Sequence, residues 1–105
     1  ITSNVSKEEA PSVPLENGKQ IVRMNQLAYE YRPNQFTVKR GVPVKWIINS
    51  ENQYTCAAYI SMPKLGISRA LKEGENIIEF TPTKTGQLKF TCSMGMYSGV
   101  FIVVN

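Results

Sequence analysis

The segment Gly41 to Asn49 reads GVPVKWIIN. Val42, Val44, Trp46 and Ile48 fall on one side of it and Pro43, Lys45, Ile47 and Asn49 on the other. Side chains of an extended chain point alternately to opposite faces, so this period of two specifies a β-strand with one buried face. The same β-branched and aromatic pattern recurs at Ile21–Leu27, Phe36–Val38, Glu75–Thr81, Gln87–Cys92 and Ser98–Val104. Leu88, Phe90 and Cys92 share one phase of their strand. Turn-forming residues separate these runs: Arg32-Pro33-Asn34, Gly41, Asn49 to Asn52, Lys72 to Gly74, Thr85-Gly86 and Gly95. Tyr59 to Leu71 carries neither period cleanly and reads as an irregular crossover with a helical turn. Short strands with turn signals about every 8–12 residues predict an all-β sandwich of about seven or eight strands.

A chain of 105 residues supplies one domain. Residues 1–19 are polar, with no aromatic side chain, and read as a flexible linker or tail. The packed domain is expected over residues 20–105. The chain begins at Ile1 rather than Met, which suggests a processed form or a piece of a longer protein with an N-terminal anchor outside it. The longest apolar run, Val100 to Val104, is far below the ~18 residues needed to span a bilayer.

Absent residue types exclude much chemistry. There is no histidine, so there can be no Ser-His-Asp or Cys-His catalytic set, no His-ligated zinc and no blue-copper site of the His2Cys type. All eight acidic residues are glutamates, which removes the EF-hand and the kinase catalytic loop. No glycine-rich phosphate loop occurs. Net charge is +4, but the Lys and Arg residues run from Lys7 to Lys89 mostly singly, with Lys39-Arg40 the only adjacent pair. That scatter reads as a solvated surface and not as a nucleic-acid interface.

What remains is sulfur. Cys92 ends a strand and is followed by Ser93-Met94-Gly95-Met96-Tyr97, so three sulfur atoms can converge in one turn. Cys56 lies just beyond the turn that closes the Trp46 strand. Both loops can sit at the same end of a sandwich. Thiolates and thioethers suit Cu(I), with Ag(I) as a chemical surrogate, and suit zinc, calcium or magnesium poorly as a mixed set. Two bridging thiolates can hold two Cu(I) ions, with Met94 and Met96 completing the weaker site. On spacing alone, a Cys56–Cys92 disulfide and, behind it, a pair of buried thiols remain open beside the metal reading. Met24, Met62 and Trp46 are expected in the core, with Met62 a minor candidate ligand. Tyr54 and Tyr97 are expected as walls of the site.

In order, the chain carries Gly41-Val-Pro-Val-Lys-Trp46-Ile-Ile-Asn49, then Cys56, then Glu79-Phe80-Thr-Pro82. Gly86-x-x-x-Phe90-x-Cys92-x-Met94-x-Met96 and Gly99-Val-Phe-Ile-Val-Val104 follow. This series resembles the cupredoxins over residues ~20–105. The resemblance implies a Greek-key β-sandwich, with Cys56 standing where the first histidine ligand would be and Cys92 at the cysteine position. Met94 or Met96 stands in place of the second histidine. It is similar in this to histidine-free cupredoxin-like Cu(I) domains of Gram-positive copper resistance. Those are membrane-anchored copper chaperones and the N-terminal metal-binding domains of copper-exporting P-type ATPases.

The resemblance implies a non-enzymatic, monomeric Cu(I) chaperone or chelator. Cys56, Cys92, Met94 and Met96 would be its ligands and a copper-exporting ATPase or another copper chaperone domain its partner. The expected placement is at the membrane facing the cytoplasm, where thiols stay reduced, with an extracytoplasmic site as the alternative. Two other functions stand beside it: a mononuclear electron-transfer cupredoxin, and a disulfide-stapled β-sandwich interaction domain. Against the latter, Trp46 precedes both cysteines, whereas in immunoglobulin-type domains the buried Trp lies between them.

Overall fold

The computed structural model describes residues 13–105. Ten strands follow one another among the described residues: β1 (Leu15–Glu16), β2 (Lys19–Gln26), β3 (Tyr31–Arg32), β4 (Gln35–Lys39) and β5 (Val44–Ser50), then β6 (Tyr59–Met62), β7 (Ile67–Ala70), β8 (Gly74–Phe80), β9 (Gly86–Cys92) and β10 (Ser98–Val104). They form two sheets. One has the order β4-β10-β9-β6-β7; the other runs β1-β2-β5-β8, with β3 added beside β2. Two contacts are parallel, β2 with β5 and β4 with β10, and the others are antiparallel.

Two differences from the sequence reading have local causes. Tyr59 to Leu71 is a β6–β7 hairpin whose register runs from Tyr59↔Ala70 to Met62↔Ile67. Its connection is a 3-10 turn, Pro63–Leu65, ended by Gly66 in the left-handed region. The outer strand β7 is mostly exposed, so its sequence lacks an apolar phase. The ordered sheet also starts before Gln20, because Leu15 and Glu16 pair with Gln20 and Lys19 across an Asn17-Gly18 turn. Asn-Gly is the preferred pair for such a hairpin because both positions take positive φ. The remainder of the polar segment, residues 1–12, lies outside the described residues.

The inward phase of β5 builds the core. Val44, Trp46 and Ile48 are fully buried. The Trp46 ring packs on Phe90 of β9 at 4.7 Å and on Phe101 of β10 at 4.9 Å, so it joins the two sheets. Phe80 of β8 closes the cluster against Phe101 at 5.1 Å. Trp46 Nε1 is buried without a hydrogen-bond partner. An orphan donor costs about 1–3 kcal/mol, whereas truncating a core Trp or Phe to Ala costs about 3–5 kcal/mol, so packing outweighs the lost bond.

Polar clamps hold the two ends of β2. Gln20 accepts from the Lys39 N–H at 2.7 Å and donates to the carbonyls of Lys39 and Val42. At the other end, Gln26 donates to the carbonyls of Leu27 and Asn52 and accepts from the Ser50 hydroxyl. The second clamp fixes the start of the loop that carries Cys56.

Candidate metal centre

Cys56 and Cys92 reach each other through the β6–β9 pairing. Cys92 lies opposite Ile60, and Cys56 begins the 3-10 turn Cys56–Ala58 that feeds β6. The Thr55 hydroxyl caps that turn by accepting from the Ala57 N–H at 3.1 Å. The Tyr31 hydroxyl donates to the Ala57 carbonyl at 2.8 Å in a buried bond. Meanwhile the Tyr31 ring packs on Phe90, two residues before Cys92, with centroids 5.6 Å apart. Tyr31 therefore touches the supports of both cysteines.

Cys92 closes β9 and starts a tight turn. Its N–H donates to the Tyr97 carbonyl at 2.9 Å, and its carbonyl accepts from the Gly95 N–H at 3.0 Å. Gly95 has φ +73°, a conformation that a side chain would strain. The Met96 N–H points at Cys92 Sγ, 3.3 Å away.

The two sulfurs stand 3.1 Å apart as free thiols, beyond the ~2.05 Å of a disulfide. Cys92 is buried at 2% exposure and Cys56 is half-buried. Met94 and Met96 are exposed at 71% and 66%. From Cys92 to Met94 and Met96 the sulfurs thus grade from the interior to the surface within one turn of chain.

Electrostatics divide the pair. Burial pushes the Cys92 thiol up, but hydrogen bonds from Cys56 and from the Tyr97, Met96 and Met94 amides outweigh it and leave its pKa at about 7. Cys56 is raised, first by its hydrogen bond to Cys92, then by burial and the Cys92 charge. Tyr31 is pushed well above its usual value, mainly by burial, with both thiolate charges adding. The two thiols therefore titrate as an interacting pair.

The structure brings together the four residues singled out from the sequence: Cys56 and Cys92 in contact, Met94 and Met96 in the turn that Cys92 opens. Met24 and Met62 lie in the core, as does Trp46. Tyr97 packs partly against the core and tilts against Tyr29, with ring centroids 6.3 Å apart. Tyr54 is different: it is 86% exposed and accepts a bond from Gln53 instead of walling the site. Sequence reasoning missed Tyr31, Thr55 and Gln26. Gln26 had a signal, since it is polar at the inward phase of β2. Tyr31 had none, because its partner is a backbone carbonyl far along the chain. Among the described residues no three His, Cys, Asp or Glu side chains converge, so sulfur is the only clustered donor chemistry.

The sequence profile of the cupredoxin-like domain matches residues 3–103. The chain belongs to the cupredoxin-like family. Among solved structures, this cupredoxin-like chain is similar to the metal-binding domain of the Cu(I)-exporting P-type ATPase CopA of Streptococcus pneumoniae, determined with Cu(I). That match has 28% identity and a TM-score of 0.82, covering 90% of this chain and 94% of the other. A copper binding protein solved in its apo form matches at 28% identity and TM-score 0.82, covering 90% and 97%. Auracyanin A, a blue copper protein from Chloroflexus aurantiacus, shares the fold alone at 11% identity and TM-score 0.66, covering 83% and 100%. Curated protein sequences give no match. The likeness to copper proteins, together with the cupredoxin-like fold, supports copper handling.

Proposed function

We propose that this domain carries Cu(I) as cargo, binding it through Cys56 and Cys92 and presenting it at the surface through Met94 and Met96. It acts as a non-enzymatic chaperone or chelator in copper trafficking and resistance. The observation that carries this reading is the pair of free thiols 3.1 Å apart, with two exposed methionines in the same turn. Soft donors of this kind favour Cu(I), and the absence of histidine leaves the His2Cys electron-transfer geometry without its imidazoles. One thiol near pKa 7 and one above its usual value let the pair take up a cation by releasing protons.

Burial gives the four sulfurs different duties. Cys92 and Cys56 form the inner, tighter position. Met94 and Met96 form an outer, weaker position for a second Cu(I), open to an incoming acceptor. With metal–thiolate bonds of about 2.3 Å, a shared ion needs sulfurs roughly 4 Å apart, so loading spreads the pair. The acceptor is a copper-exporting P-type ATPase or a related copper domain, in line with the 28% identical ATPase domain. Free thiols suit a domain that faces the cytosol at a membrane.

X-ray absorption on the Cu(I)-loaded protein tests the donor set. The reading expects sulfur-only coordination and, at two equivalents, a short Cu–Cu vector. A shell dominated by nitrogen or oxygen contradicts it.

A further inference from the structure

Several lysines and arginines that are scattered in sequence come together at one end of the sandwich. Three loops meet at the end opposite Cys92. The Gly41 N–H donates to the Pro82 carbonyl at 2.7 Å, joining the loop after β4 to the loop after β8. Lys64 Nζ, in the β6–β7 connection, donates to the Gln87 carbonyl at the start of β9. These loops expose Lys39, Arg40, Lys64 and Lys84. The two ion pairs among the described residues, Lys19–Glu79 and Arg32–Glu30, engage none of the four. Glu16 and Glu79 are the only described acids at this end, and Glu79 is committed to Lys19 at 2.9 Å. Around the sulfur end the balance reverses: Glu30, Glu51, Glu73 and Glu75 outnumber Arg32, Lys72 and Arg69, the last opposite Ile60.

The basic end also has shape and apolar character. A surface cleft of about 470 Å³ opens between Lys64 and Lys84, with Thr83, Thr85 and the Gly86 backbone in its wall. At the same end an apolar groove of about 330 Å³ runs past Val13, Leu15, Val42 and Val104, with Lys39 in its lining. Leu15 is 64% exposed there. Cations flanking exposed aliphatic side chains are the pattern of a surface that seats in a lipid headgroup layer. Nucleic acid fits less well, because the exposed rings that could stack on bases, Tyr29, Tyr54 and Tyr59, lie at the sulfur end.

We propose that the end formed by Lys39, Arg40, Lys64 and Lys84 docks onto an anionic phospholipid surface. Phosphate headgroups enter the Lys64–Lys84 cleft and Leu15 rests at the headgroup boundary. Strand β9 runs from this end to Cys92, roughly 20 Å at its rise per residue, so docking turns the sulfur loops toward the aqueous phase. The interaction is independent of the copper reading, since none of the four cations is near the thiols.

The test is co-sedimentation of the 105-residue chain with vesicles. Phosphatidylglycerol mixed into phosphatidylcholine is compared with pure phosphatidylcholine, in the presence and absence of Cu(I). Binding is expected only to the anionic vesicles, unchanged by copper, and lost at about 1 M salt, where charges are screened beyond ~3 Å. Lys64→Gln with Lys84→Gln should weaken binding about fivefold per charge removed. Arg32→Gln with Lys72→Gln, the same charge change at the other end, should leave it nearly intact. Equal losses from the two double variants would mean that net charge alone acts, and would overturn the proposal. So would failure to bind anionic vesicles, including the case in which the chain binds polyglutamate instead, as for an acidic protein partner. Unchanged circular dichroism of both variants keeps the comparison one of surface charge.

Discussion

Cys56 Sγ and Cys92 Sγ touch at 3.1 Å although one opens the 3-10 turn before β6 and the other ends β9, and each segment is held by its own hydrogen bonds. The contact rests on the β6–β9 pairing and on the hydrogen bonds that hold each cysteine's segment. Neighbouring ligands lose little entropy on binding, which favours capture of a single ion once the sulfurs part to the roughly 4 Å that a shared ion needs.

Tyr31→Phe tests that scaffold. The substitution keeps the ring on Phe90 but strands the buried Ala57 carbonyl that the hydroxyl reaches at 2.8 Å. An unsatisfied buried acceptor costs about 1–3 kcal/mol. Denaturant unfolding should show a lower midpoint at unchanged slope. Cu(I) affinity should fall several-fold while the free thiol count is unchanged. Wild-type affinity in this variant would remove Tyr31 from the support of the site.

Gly99→Ala should destabilise the fold without touching a ligand. A methyl group there would overlap Phe90 Cζ and stand 2.6 Å from the Asn34 carbonyl oxygen. The backbone oxygen is also bonded to the Val100 N–H, so it cannot retreat cheaply. The expected cost is about 1–3 kcal/mol in thermal or denaturant unfolding. A neutral result would contradict the close packing of Gly99 against Phe90.

The two thiols should titrate in separate steps. Thiolate ultraviolet absorbance of the reduced, metal-free protein should rise first near pH 7, for Cys92, and again above the ordinary thiol range, for Cys56. Linkage fixes the signs. Cys92 has a folded value below its unfolded one, so its contribution to stability is present above the unfolded value and is lost as pH falls through about 7. Cys56 is raised, so its contribution is present below the unfolded value and is lost as pH rises through its higher folded value. Stability contributed by the pair should therefore peak between the two steps. A single inflection for both thiols contradicts the opposite shifts of the pair.

Met94→Leu combined with Met96→Leu keeps apolar volume and removes both thioethers. Both side chains are exposed, so stability should change by no more than about 0.5 kcal/mol. The first Cu(I) should remain bound, and the second equivalent should be lost to a competing chelator. Transfer of copper to an acceptor domain should slow. If the second equivalent binds as before, the outer position is not built from these methionines.

Much of the fold was legible because burial writes itself into alternation. Val44, Trp46 and Ile48 sit inside as their phase requires, and Leu88, Phe90 and Cys92 share a face. Ile47 is buried too, on the other face, because β5 lies between Arg23 of β2 and Ile77 of β8. The β6–β7 hairpin was not legible, since an exposed edge strand needs no apolar phase. The four candidate ligands could be named from their types and loop positions, but the contact between the thiols could not, because it depends on the β6–β9 register. Nor could the charge asymmetry, which appears only when the turns at Arg40, Lys64 and Lys84 come to one end.

The most direct measurement of the central claim is a Cu(I) titration of the fully reduced protein against a chromophoric Cu(I) chelator, with Cys56→Ser and Cys92→Ser beside the wild type. The account predicts tight uptake of at least one Cu(I) by the wild type and a loss of affinity of about a hundredfold or more in each single variant, equivalent to ~2.7 kcal/mol. Failure of the wild type to compete for Cu(I), or uptake unchanged when either cysteine is replaced, would contradict it.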